Sequence, residues 1–95
     1  MSTKTEEQVL SDNETALYED LVNTRNLILH NDKHNTFDYV IVALMDICQH
    51  TWEQAEQCAM ITHFKGKCQI KHGTYEYLKP MKEDLSERGL SVTIN

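Results

Sequence analysis

The chain has 95 residues, enough for one domain plus at most a tail, with a core that is small and must be packed tightly. Its formal net charge of -6 is unevenly placed: residues 1–20 carry six acids and one Lys, whereas residues 21–95 carry eight cations against nine acids. The part with apolar patterning is therefore nearly neutral, which argues against nucleic-acid binding, because that needs a basic face.

No apolar stretch approaches the ~18 residues of a membrane span, and the polar N-terminus lacks the apolar segment of a signal peptide. Three cysteines (Cys48, Cys58, Cys68) cannot all pair within one chain. A soluble cytoplasmic protein with reduced thiols and no membrane partner is expected.

Residues 1–24 read as a flexible acidic extension and residues 25–95 as the folded domain. Ala16-Leu17-Tyr18 and Leu21-Val22 allow a brief lead-in to the fold. Arg25 to Asn31 reads as a strand from its branched and apolar content. After the polar break Lys33-His34-Asn35, a helix is predicted from about Thr36 to Cys48. Phe37, Val40, Ile41, Leu44 and Ile47/Cys48 recur at three-and-four spacing and lay down one apolar stripe. Asn35 or Thr36 can cap it, since a short side-chain oxygen satisfies a free amide of the first turn.

The second helix has the clearest start. Thr51-Trp52-Glu53-Gln54 fits the reciprocal capping pattern, and Gly66 provides a left-handed stop after Lys65. Trp52 is expected in the core or as a staple. Cys68, Ile70 and His72 then alternate with polar residues, as a half-buried strand would. Gly73-Thr74 reads as a turn and cap. Tyr77/Leu78, Met81 and Leu85 keep helical spacing up to Arg88, with Pro80 predicting a kink or a helix that begins there. Leu90 to Ile94 alternates and makes the last strand. The order is strand, helix, helix, strand, helix, strand: an α+β domain with three helices on a small three-stranded antiparallel sheet.

Chemistry concentrates at Asn31-Asp32 and at His63. An Asn-Asp pair at a strand-to-helix junction is ordinary turn chemistry, and a His near a helix C-terminus is a favourable charge there. Taken together, however, a carboxylate, an amide oxygen and an imidazole nitrogen are three acceptors that suit an ammonium group. They suit hydrolysis less, because no Ser, Thr or Cys is placed as a nucleophile beside an oriented base. Cys48, His50, Cys58, His63, Cys68 and His72 do not reproduce the spacings of structural zinc sites, so no metal and no cofactor is expected.

The stretch Leu29 to Leu44 resembles the first signature of the ClpS adaptor family, roughly V-N-D-D-x-T-P-M-E-F-V-x-x-V-L. Glu53 to Lys67 resembles its second, roughly E-x-A-x-x-x-M-x-x-V-H-x-x-G-K, and Leu90 to Ile94 resembles its last strand. The resemblance covers about residues 25–95. It implies a fold like the C-terminal domain of a ribosomal stalk protein, and a function as a non-enzymatic, monomeric adaptor. Such an adaptor binds proteins with destabilising N-terminal residues, or N-degrons, and delivers them to the N-terminal domain of a ClpA- or ClpC-type AAA+ unfoldase working with the ClpP peptidase. Carried onto this sequence, it implies Asn31, Asp32 and His63 as ligands of the substrate α-amino group. A side-chain pocket of Asn35, Phe37, Val40, Ala59, Thr62 and Leu90 follows, with an unfoldase-facing surface that includes Glu76, Lys79 and Lys82. The acidic extension would engage the unfoldase.

The chain departs from the family pattern at Lys33, where the family has an acid, and at Thr36, where it has Pro. Phe37 and Ala59 stand where it has Met. A larger residue on one wall and a smaller one on the other reshape the pocket, and Ala59 is expected to open room for β-branched side chains. Two other readings compete: an interaction domain of this fold, structural or ribosome-associated, without a pocket, and a thiol- or metal-dependent regulator built on the cysteines.

Overall fold

The computed structural model describes residues 23–95, so the readings of the acidic extension lie outside the described residues. Strand β1 (Thr24–His30) is followed by helices α1 (Phe37–Cys48) and α2 (Trp52–Lys65). Strand β2 (Lys67–Thr74), helix α3 (Tyr75–Glu87) and strand β3 (Ser91–Ile94) complete the order. The sheet is antiparallel in the order β2-β1-β3, with β1 at its centre. Three helices with a three-stranded antiparallel sheet is the α+β architecture expected.

Each helix begins where a threonine can cap it. The hydroxyls of Thr36, Thr51 and Thr74 accept from the amides of Tyr39, Gln54 and Tyr77. At Thr51 the box is complete, because Gln54 Oε1 also accepts from the Thr51 amide at 2.9 Å. Capping thus falls to Thr36 rather than Asn35, whose amide is used elsewhere.

Leu27 and Leu29 of β1, Leu44 of α1, Leu78 and Leu85 of α3, and Val92 of β3 are buried together between the helices and one sheet face. On α2 the buried stripe is narrow and made of small residues: Ala55, Ala59 and Thr62. Thr62 satisfies its hydroxyl by donating to the Cys58 carbonyl at 2.8 Å, one turn back. Small side chains let α2 lie close to the structure beneath it, and they leave room at its C-terminal end.

Several local expectations change. Trp52 is 49% exposed, since it lies at the first position of α2, a turn before the buried stripe begins. Helix α3 starts at Tyr75 and passes through Pro80. Pro80 is exposed there, so its missing amide leaves the Glu76 carbonyl open to water instead of ending the helix. Gly73 and Thr74 belong to β2, and Thr74 closes the strand while capping α3.

Strand β2 also carries a bulge that simple alternation does not foresee. Leu27 pairs with Lys71 while Ile28 pairs with Gln69, which leaves Ile70 as the extra residue. The freed Ile70 carbonyl accepts from His50 Nε2 at 2.7 Å, and Lys71 Nζ donates to the Cys48 carbonyl at 2.9 Å. The α1–α2 turn is thereby pinned to the sheet.

Candidate functional site

At one end of the domain, the loop leaving β1, the start of α1 and the last turns of α2 surround a pocket of about 580 Å³. Asn31, Asp32 and Lys33 lie at its loop side with Asn35; Phe37 and Val40 come from α1, and Ala59, Thr62 and His63 from α2. Leu29 and His30 complete the lining from the end of β1. Residues 31 and 63 are far apart in sequence but share one cavity, because β1 pairs with β2 directly behind the end of α2.

The closure can be followed bond by bond. Gly66 takes a left-handed conformation (φ 93°) and its amide donates to the Thr62 carbonyl at 2.9 Å, which stops α2. The Gly66 carbonyl then accepts from the Asn31 amide at 2.9 Å. The end of α2, carrying His63, is thus hydrogen-bonded to the residue that opens the loop.

Asp32 is held from several sides. Its Oδ1 accepts from the amides of His34 and Asn35, each at 3.0 Å, and its Oδ2 accepts from the Asn35 side chain at 2.9 Å. The second N–H of that side chain donates to the Gly89 carbonyl at 2.9 Å, tying the loop to the α3–β3 turn. Partial burial pushes the Asp32 carboxyl up. The hydrogen bonds from Asn35 and His34, with the nearby His34 charge, outweigh it and hold the pKa below the ordinary carboxylate value. Asp32 is therefore a fixed negative charge at neutral pH. Oδ2 still has acceptor capacity, because a carboxylate oxygen offers about two lone pairs and Asn35 occupies one.

His63 is exposed and stands edge-on to Phe64, with ring centroids 5.1 Å apart and planes at 77°. It is not drawn into the core and lines the pocket with an imidazole open to a ligand. Asp32 builds the turn and lines the pocket in the same conformation.

Of the pocket residues expected from the sequence, Asn35, Phe37, Val40, Ala59 and Thr62 lie at the wall. Ala59 is buried with the core cluster at 4% exposure and contributes only a methyl to the wall. Phe37, expected within the apolar stripe, is 39% exposed at the mouth. Leu90 does not line the cavity; it is buried in the core, one residue beyond the Gly89 carbonyl that anchors Asn35. Sequence reasoning missed Leu29 and His30, although their place at the end of a strand beside a polar loop was a usable signal. Glu76 and Lys79 are exposed on α3, and Lys82 is half-buried.

The thiols offer little chemistry. Burial raises Cys48 to about 11, with Lys71 opposing it, and Cys58 is raised by burial and by its neighbour Cys68. Both remain protonated at neutral pH and are poor nucleophiles. Among the described residues no group of three or more His, Cys, Asp or Glu side chains is placed to hold a metal ion. No helix among them is long and apolar enough to cross a membrane.

Fold and site together define a small α+β domain with a half-open pocket, polar at its mouth and apolar at its floor. The family described as ATP-dependent Clp protease adaptor protein ClpS matches residues 21–93, and the chain belongs to that family. ClpS is an adaptor family of the Clp protease and not a catalytic one, so Clp protease components and their substrates are the partners that membership implies. Among solved structures, the chain is similar to Agrobacterium tumefaciens ClpS2, solved bound to L-phenylalaninamide. That likeness has a TM-score of 0.70 at 19% identity and covers 77% of this chain and 95% of the other, which establishes the shared fold. Compared directly with curated protein sequences, the chain matches none.

Proposed function

We propose that this domain binds the free N-terminus of substrate proteins whose first residue is bulky and apolar, and hands them to a Clp-type AAA+ unfoldase. The observation that carries the reading is the meeting of Asn31, Asp32 and His63 at the mouth of a cavity whose floor is apolar. A terminal ammonium has three donors and needs three acceptors when partly desolvated, and the mouth offers an amide oxygen, a carboxylate and an imidazole nitrogen. Burying the first side chain behind it contributes about 1.5–3 kcal/mol.

The ligand of the similar Agrobacterium protein supports the same chemistry, since phenylalaninamide combines a free α-amine with a bulky apolar side chain. In this reading Asn31, Asp32 and His63 ligate the amine, while Phe37, Val40, Ala59 and Thr62 line the side-chain pocket, with Asn35 bracing the mouth. Delivery uses the exposed side of α3 around Glu76, Lys79 and Lys82, facing the N-terminal domain of a ClpA- or ClpC-type unfoldase.

The test is binding of a fluorescent Phe-initiated peptide to the intact chain and to Asp32→Ala and His63→Ala. Micromolar or weaker binding is expected, abolished by N-acetylation and weakened at least tenfold by each substitution while the circular dichroism stays unchanged. Equal binding of free and acetylated peptides would remove the proposal.

A further inference from the structure

We infer that Lys33 makes the pocket mouth a reader of the substrate's second residue, favouring N-termini in which a bulky apolar residue is followed by Asp or Glu. This rests on the N-terminus-binding reading above. Lys33 lines the cavity beside Asp32 and is exposed. The one ion pair formed among the described residues joins Arg88 to Asp46, away from the pocket lining, so no described carboxylate is paired with Lys33. The adjacent carboxylate, Asp32, is already engaged by Asn35 and the His34 amide.

The charge around the mouth points the same way. Among the described residues, Asp32 and Lys33 are the only carboxylate and ammonium in the lining. Lys65 and Lys67 flank Gly66, whose carbonyl holds the Asn31 amide, so two further cations enter the chain beside the mouth. A bound terminal ammonium therefore meets the fixed negative charge of Asp32 with the Lys33 ammonium beside it. A substrate that brings its own carboxylate beside the ammonium offsets that repulsion.

Geometry places the carboxylate at the second residue. With the ammonium at the mouth and the first side chain pointing inward, the peptide must leave through the mouth. Its second Cα lies about 3.8 Å from the first. A Lys side chain is long enough to reach an acidic group there, and the pair would be solvent-exposed. Exposed pairs are weak and salt-sensitive, so the preference is about two- to fivefold for acid over Ala, and larger for acid over Lys.

The experiment compares three peptides identical except for the second residue, beginning Phe-Asp, Phe-Ala and Phe-Lys, each with its N-acetylated control. They are titrated by fluorescence polarisation against the intact chain and against Lys33→Glu, at low and high salt. The expected affinity order is Asp above Ala above Lys, inverted by Lys33→Glu and compressed by salt. Dependence on the free amine without this order, or an order that Lys33→Glu leaves unchanged, overturns the inference while sparing the amine clasp. Indifference to acetylation overturns both together.

Discussion

Asn35 grips both oxygens of Asp32, its backbone amide donating to Oδ1 at 3.0 Å and its side-chain amide to Oδ2 at 2.9 Å. The same side chain reaches across to the Gly89 carbonyl, 54 positions along the chain. One amide thus fixes the direction of the carboxylate that faces the pocket and fastens the loop to the far end of α3.

That grip makes Asn35 a positioning residue. Asn35→Ala removes two side-chain hydrogen bonds, one of them to a charged acceptor, and should cost about 1–3 kcal/mol of stability in a denaturant titration. Peptide affinity should fall by less than for Asp32→Ala, because the charge remains while its orientation loosens. Equal losses for the two variants would mean that Asn35 touches the ligand itself.

Acid should undo the same network. The folded-state pKa of Asp32 lies below its ordinary 3.8, so its contribution to stability is present above that value and is lost as the pH falls below it. Thermal unfolding of the intact chain and of Asp32→Asn, followed from pH 6 to pH 2.5, should converge at the acid end, with the intact chain more stable at pH 6. Parallel curves would contradict the assignment.

Ala59 is another departure from the family pattern and lies at the pocket wall with 4% exposure. Ala59→Met adds a long apolar side chain where the wall now carries a single methyl. The variant should keep binding Leu-initiated peptides and lose several-fold affinity for Val- and Ile-initiated ones. An unchanged Leu-to-Val ratio would show that Ala59 does not set the pocket's width.

Gly66 links the two halves of the site through its backbone alone. An added Cβ would meet nothing within 4 Å, but at φ 93° any other residue is strained. Gly66→Ala should cost about 1–2 kcal/mol, or roughly 4–8 °C in Tm for each kcal/mol in a domain of this size. Asn31, whose amide bonds to the Gly66 carbonyl, should shift in an amide NMR spectrum.

Much of this was legible in the sequence where the cause is local. The capping box at Thr51–Gln54, the stop at Gly66 and the apolar stripe of α1 beyond Phe37 depend on neighbours within a turn, and each lies where expected. The harder parts depend on distant partners. Nothing near Ile70 announces a bulge whose carbonyl is taken by His50, and nothing near Asn35 announces Gly89. Leu90, just before the last strand, is apolar like the wall residues, yet it packs into the core instead. Pro80 warned of a break, but an exposed position early in a helix tolerates one missing bond. Losing Asn31 or His63 should cost less binding than breaking a buried charge pair, because both residues are exposed and water can replace them.

The most direct measurement of the central claim is a first-residue scan: one peptide sequence with Phe, Leu, Tyr, Trp, Val, Ala or acetylated Phe at position one, titrated against the intact chain by fluorescence polarisation. The account predicts measurable binding for the bulky apolar residues, at least tenfold weaker binding for Ala, and none for the acetylated peptide. Binding that ignores both the first side chain and the free amine would contradict it.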